Sequence, residues 1–281
     1  PFRDLAARFH EEHPDIIVDV KMPDFLTGTP DLPALAAASD CFEWYPSFQE
    51  ARNREAILTM APFVEADPSF PIDDYLPQAL DQFRWQGQLM ALPADITPYV
   101  IEYNRDLLDA AGLDYPSADW TWEEFLDLAV AATSGEGDAK QYGFVAEYYE
   151  LNDLLLLTER LGARIIDESA DPPAYTYNDP ATVEAFRWYA ALTTEHGVKP
   201  VFVTDLNELM SAASAMLERE ALITEGRAAM WSSSPTAAAV FGSRPDLNTG
   251  AVPPPRMSDG SSPASLLTVS GYFISAETEH R

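Results

Sequence analysis

The stretch from Gly87 to Phe125, GQLMALPADITPYVIEYNRDLLDAAGLDYPSADWTWEEF, constrains the fold more than any other part of the chain. It reads as a strand entering a polar turn at Pro93 to Thr97, then a second extended run, Tyr99 to Tyr103, built from the aromatic and β-branched residues that suit a half-buried pleated surface. Asn104 stands where a helix N-cap accepts from the backbone, Leu107, Leu108 and Ala111 share one helical face, and Gly112 fits a left-handed C-terminal cap. After Pro116 a new helix starts at Thr121, whose hydroxyl forms a capping box with Glu124 three residues on. A strand thus carries the chain from one packed region into another, with polar groups at the crossing.

Around this stretch the chain alternates helices and strands. Phe2, Leu5, Ala6 and Phe9 recur at helical spacing, and Pro14 closes that helix before a predicted buried strand, Ile16 to Val20. Residues 22 to 33 form a Pro/Gly/Thr loop, a short helix covers Ala34 to Ala38, and Asp40 to Tyr45 is a strand end opening into a loop. Helices are expected over Phe48 to Ala56 and Asp73 to Phe83, with a hairpin about Gln86-Gly87-Gln88. Farther on come a strand from Tyr142 to Ala146, a helix from Leu151 to Leu161, and another opened by Asp179 and Pro180. Then follow a helix over Leu206 to Thr224, strands at Ala228 to Trp231 and Thr249 to Val252, and two runs, Leu266 to Val269 and Tyr272 to Ser275, flanking Gly271.

The order G-x-L-x-x-L-P, crossing strand, Y-N-x-D-L-L-x-x-A-G-L, W-T-W-x-E-F resembles the extracellular solute-binding proteins of ABC importers, in the carbohydrate-binding branch that includes maltose-binding protein. PFRDLAARFHEEHPDIIVDV at the start, EGRAAMW at 225 to 231 and SGYFISAETEHR at the end fall in the same family order, so the resemblance covers nearly the whole chain. It implies an α/β chain of the two-lobed, class II periplasmic-binding-protein type, with helices around a mixed sheet in each lobe and a cleft at the hinge. Lobe one would be 1–97 plus 236–281 and lobe two 98–235, with the second crossing near Trp231. Family members have a strand before the first helix and helices after this endpoint, so the chain reads as cut at both ends.

Composition narrows the partners. A formal charge of −29, from 17 Lys plus Arg against 46 Asp plus Glu, opposes nucleic acid and anionic membrane surfaces, which need a basic face. The single cysteine, Cys41, forms no internal disulfide and reads as a small buried residue, and no apolar run approaches the roughly 18 residues that span a bilayer. His10 and His13 lack a third ligand nearby, so no metal and no cofactor is expected.

A sugar ring offers apolar C–H faces to Trp or Tyr and a rim of hydroxyls to carboxylates, so candidates are aromatic and acidic residues at strand ends. Trp44 and Tyr45, beside Asp40 and Glu43, form one such group. Asp95 and Thr97 lie in the crossing turn; the family often has an acid where Thr97 stands, so the acidic role passes to Asp95. Glu147, Tyr148 and Tyr149 follow a strand where the family places an acid and an aromatic that reach the sugar. Trp231 and Ser233 follow the EGRAAM motif, Trp231 either stacking on ligand or packing in the hinge, and Gly271 and Tyr272 lie where relatives return to the cleft. Trp120 and Trp122 are assigned to structure.

The resulting expectation is a non-catalytic, monomeric, extracellular or periplasmic protein, held at the cell surface as a lipoprotein, that captures a carbohydrate and delivers it to an ABC permease. The alternatives are a polyamine or peptide binder on the same fold, or a glycoside hydrolase, which would need two carboxyls at a fixed separation.

Overall fold

A computed structural model describes residues 2–22, 31–146, 151–160, 163, 165–167, 174–202, 209–233, 246–257 and 265–280. In chain order the elements begin with α1 (Phe2–Glu12), α2 (Leu32–Ala38), β1 (Cys41–Trp44), α3 (Ala51–Glu55), α4 (Ala61–Ala66), α5 (Pro77–Gln82), β2 (Arg84–Trp85), β3 (Gln88–Leu89) and β4 (Leu92–Pro98). There follow β5 (Val100–Asn104), α6 (Arg105–Ala111), α7 (Trp122–Ala132), β6 (Tyr142–Val145), α8 (Leu151–Arg160), β7 (Ile166–Asp167), β8 (Ala174–Tyr175), α9 (Pro180–Thr194), α10 (Leu209–Thr224), β9 (Ala228–Ser233), β10 (Thr249–Val252) and β11 (Leu267–Ile274). The chain divides into two compact units, residues 1–96 with 269–281 and residues 97–268.

The first unit is organised by a three-stranded sheet in the order β1-β11-β4. β11 is its central strand, antiparallel to β1, with Glu43 opposite Tyr272 and Trp44 opposite Gly271. Alternation turns Phe273 and Val269 into a core with Phe48, Phe83, Leu80 and Leu89, while Tyr272 faces the other way. Gly271 does not break the strand. Its missing side chain makes room for Phe83, whose ring would lie 2.6 Å from an added Cβ. The β2-β3 hairpin turns through Gln86 and Gly87, both at positive φ (49° and 82°), as a two-residue turn matched to strand twist requires.

In the second unit the sheet order is β10-β5-β9-β6, with β6 parallel to β9 and the other pairs antiparallel. β9 is buried along its whole length, so it reads as a continuous run rather than an alternating one. α7 turns Trp122, Phe125, Ala129 and Ala132 inward, and Phe125 meets Phe144 edge to face at 5.0 Å between centroids. Both ends of the helices in the organising stretch are built as their sequence dictates. Asn104 accepts from the Leu107 amide, Gly112 takes φ 67°, and the Thr121–Glu124 capping box is complete. Trp120 and Trp122 are buried, Trp120 donating to the Pro253 carbonyl at 2.8 Å.

Three expectations differ from the structure. Ile16 to Val20 forms no strand, and Ile17 is 84% exposed; with no pairing partner among the described residues, the segment has no sheet face to bury. Residues 249–252 pair with β5, so they lie in the second unit, and the return to the first unit falls at Thr268–Val269 inside β11 instead of after Trp231. Cys41 is exposed, because strand alternation points it away from the core that takes Phe42.

Gly143 of β6 packs directly on α7, where an added Cβ would sit 1.9 Å from the Ala129 carbonyl oxygen. Gly143→Ala is expected to cost about 3 kcal/mol by forcing helix and strand apart, read as a lowered urea midpoint at an unchanged slope.

Candidate functional site

The outward face of the β1-β11-β4 sheet gathers acids about one tyrosine. Tyr272, 43% exposed, stands at the centre with Glu43 as its cross-strand neighbour on β1, and Asp95 is exposed on the flanking β4. Burial, then the charges of Glu43 and Asp95, with smaller contributions from Cys41 and Tyr75, push the Tyr272 phenol above its usual range, so it remains a neutral donor and acceptor. Ser270, two residues back on the same face, donates to the Glu43 carboxylate and fixes its orientation. Tyr45 follows β1 with its ring 53% exposed and edge-on to Trp44 at 5.7 Å. Tyr272 is thus a partly exposed ring with one carboxylate directly across on β1 and a second on the neighbouring strand β4.

The other expected residues of this unit lie elsewhere. Trp44 packs half-buried against the core because it falls on the inward alternation of β1. Asp40 precedes β1, accepts from the Thr278 hydroxyl at 2.6 Å and, through its carbonyl, from the Ser275 amide, so it ties down the end of β11. Gly271 serves packing over Phe83.

In the second unit Thr97 and Ser233 are buried, at 6% and 2% exposure. Trp231 is fully buried and its indole N–H donates to the Glu102 carboxylate at 2.8 Å. Glu147, Tyr148 and Tyr149 lie outside the described residues.

Sequence reasoning missed a buried polar network at the ends of β6 and β9. Asp153, in the first turn of α8 and 4% exposed, accepts from the hydroxyls of Tyr99, Tyr189 and Ser232, the latter two at 3.2 Å. Arg219 of α10, equally buried, donates to the carbonyls of Ala146 at 2.7 Å and Ser232 at 2.6 Å. The signal was present: Asp153 is the one acid directly before an unbroken run of four leucines, where an ionised group persists only if satisfied. Among the described residues no group of three metal-ligating side chains occurs, and no helix is long and apolar enough to cross a membrane.

All 281 residues match the family described as bacterial extracellular solute-binding protein. The chain belongs to that family. It is 25% identical over 234 residues to the mannitol-binding protein of Pseudomonas aeruginosa, a match covering 81% of this chain and 50% of that one, so the chain spans about half the length of this curated relative. Its fold matches an ABC substrate-binding protein of Listeria monocytogenes solved with cycloalternan, at TM-score 0.79 and 23% identity over 99% of this chain and 68% of that one. UgpB of Mycobacterium tuberculosis, solved with glycerophosphocholine, matches at TM-score 0.74 and 18% identity, over 99% and 67% of the two chains. These likenesses establish the α/β periplasmic-binding-protein fold.

Asp153→Ala removes an acceptor shared by three hydroxyls and is expected to destabilise by about 3 kcal/mol, whereas Asp153→Asn, which keeps an acceptor, costs less; chemical denaturation compares the two. In an ultraviolet pH titration Tyr272 ionises later than an ordinary tyrosine, and Glu43→Gln moves that late phase to lower pH because one of the opposing charges is gone.

Proposed function

We propose that this protein captures a saccharide outside the cytoplasm and hands it to the membrane permease of an ABC importer, without chemical change to the ligand. The observation that carries this reading is the partly exposed Glu43–Tyr272–Asp95 face on a chain that matches the solute-binding family from end to end. Tyr272 offers a ring to the C–H face of a sugar. Glu43 and Asp95 accept from its hydroxyls in charge-assisted bonds, which are stronger than neutral ones. Mannitol and cycloalternan, in the names of two relatives, are neutral polyhydroxylated compounds of the kind such a face suits. The two compact units serve as the lobes of this protein, with β4 and β11 carrying the chain between them.

A second reading is a cationic ligand such as a polyamine. The charge of −29 and the two carboxylates beside Tyr272 favour it. Salt separates the two readings, since ammonium–carboxylate attraction is screened and stacking with hydroxyl hydrogen bonds is not.

A thermal-shift screen of the full chain against neutral saccharides, polyamines and peptides tests the assignment. A true ligand stabilises the folded form by about 2.7 kcal/mol at a hundred times its Kd. The expected result is a rise with a neutral saccharide, insensitive to salt, that Tyr272→Ala weakens by about tenfold or more. A shift only with polyamines, lost in salt, supports the second reading, and release of reducing sugar over time contradicts both.

A further inference from the structure

We infer that Asp153 is a positioning residue for the passage of the chain between its two units: through Tyr99 it clamps both crossings to the second unit and leaves Thr97-Pro98 and Leu267-Thr268 as the places where the chain bends. The inference rests on the reading of the two units as lobes and names the residues that set where they flex.

Packing brackets each crossing closely. On the way out, Ile96 packs against the core of the first unit and Tyr99, 4% exposed, belongs to the core of the second. On the way back, Leu266 packs against the second core and Val269 is buried in the first. The division between the units falls at Ile96–Thr97 and at Thr268–Val269, inside those brackets. Pro98 has no amide to donate to a ladder, and Leu267 and Thr268 are exposed; both features lower the resistance to bending.

The two crossings are tied to one another at Tyr99. Its amide donates to the Leu266 carbonyl at 2.9 Å, and its carbonyl accepts from the Ser265 hydroxyl, so whatever holds Tyr99 holds both. What holds it is the buried carboxylate on α8. The Tyr99 phenol donates to one oxygen of Asp153, and the other oxygen accepts from Tyr189 of α9 and Ser232 of β9, each at 3.2 Å. Hydrogen bonds to an ionised acceptor are stronger than neutral ones, and burial strengthens them further. One side chain thus fastens the crossings to two helices and a strand of the second unit.

The test is nuclear magnetic resonance of the full chain without ligand, so its outcome is separate from that of the saccharide screen. In the unaltered chain, microsecond-to-millisecond broadening is expected at Thr97, Leu267 and Thr268 and not at Tyr99 or Leu266. Tyr99→Phe keeps the ring in the core and removes the hydroxyl; the Tyr99 amide is then expected to exchange with deuterium about tenfold faster or more, with the β5 and β9 ladder amides unchanged within about twofold. Asp153→Ala reproduces the effect at Tyr99. Tyr189→Phe takes a bond from the same carboxylate and leaves the Tyr99 amide within about twofold, and if Asp153→Ala does not fold, the two tyrosine variants decide. Broadening at Tyr99 in the unaltered chain, or at none of the three expected residues, overturns the inference. An unchanged Tyr99 amide in Tyr99→Phe overturns it as well, as does acceleration spread evenly over the second unit or matched by Tyr189→Phe.

Discussion

The placement of β11 between β1 and β4 is the constraint on which the account depends. Antiparallel pairing puts Glu43 opposite Tyr272, and pleating sends that pair to one face while Phe273, Phe42 and Trp44 go to the other. A one-residue slip would bury the acid and the phenol and expose the core aromatics, so the register that folds the first unit is also the register that makes its acidic face. Gly271 is part of the same arrangement, since the Phe83 ring beneath it holds the strand to the core without lifting it away. Asp40 completes it by tying Thr278 and Ser275, past the end of β11, to the start of β1.

The second unit answers a different problem, which is how to end two largely buried strands without stranding polar groups. β6 and β9 stop beside Asp153 and Arg219, which take up the hydroxyls and carbonyls those ends present. A carboxylate and a guanidinium at 4% exposure each are costly to place there, and their satisfaction by several elements at once binds α8, α9 and α10 to the strand ends. The polar network thus fixes where the strands stop.

Much of this was legible in the residues. The caps at Asn104, Gly112 and Thr121 follow from local chemistry and need no tertiary knowledge, and the aromatic spacing of Trp122, Phe125 and Ala129 declares the buried face of α7. Which face an aromatic takes was harder. Trp44 and Trp231 look alike in sequence to a stacking platform, and only the structure shows that the pleat of β1 turns Trp44 toward the core and that β9 is buried along its length. Tyr272 and Asp95 were legible as candidates, and their grouping with Glu43 was not, because it arises from strands more than 170 positions apart in the chain being brought together by pairing. The strand expected at Ile16 to Val20 had the right composition and no partner among the described residues, which fits β-propensity describing fitness for a sheet rather than membership of one.

The most direct test of the account is a crystal structure of the full chain with a bound neutral saccharide. The account predicts a sugar ring against Tyr272 with hydroxyls donated to Glu43 and Asp95. A saccharide seated without contact to β11, or one held by cations in place of these carboxylates, would contradict it.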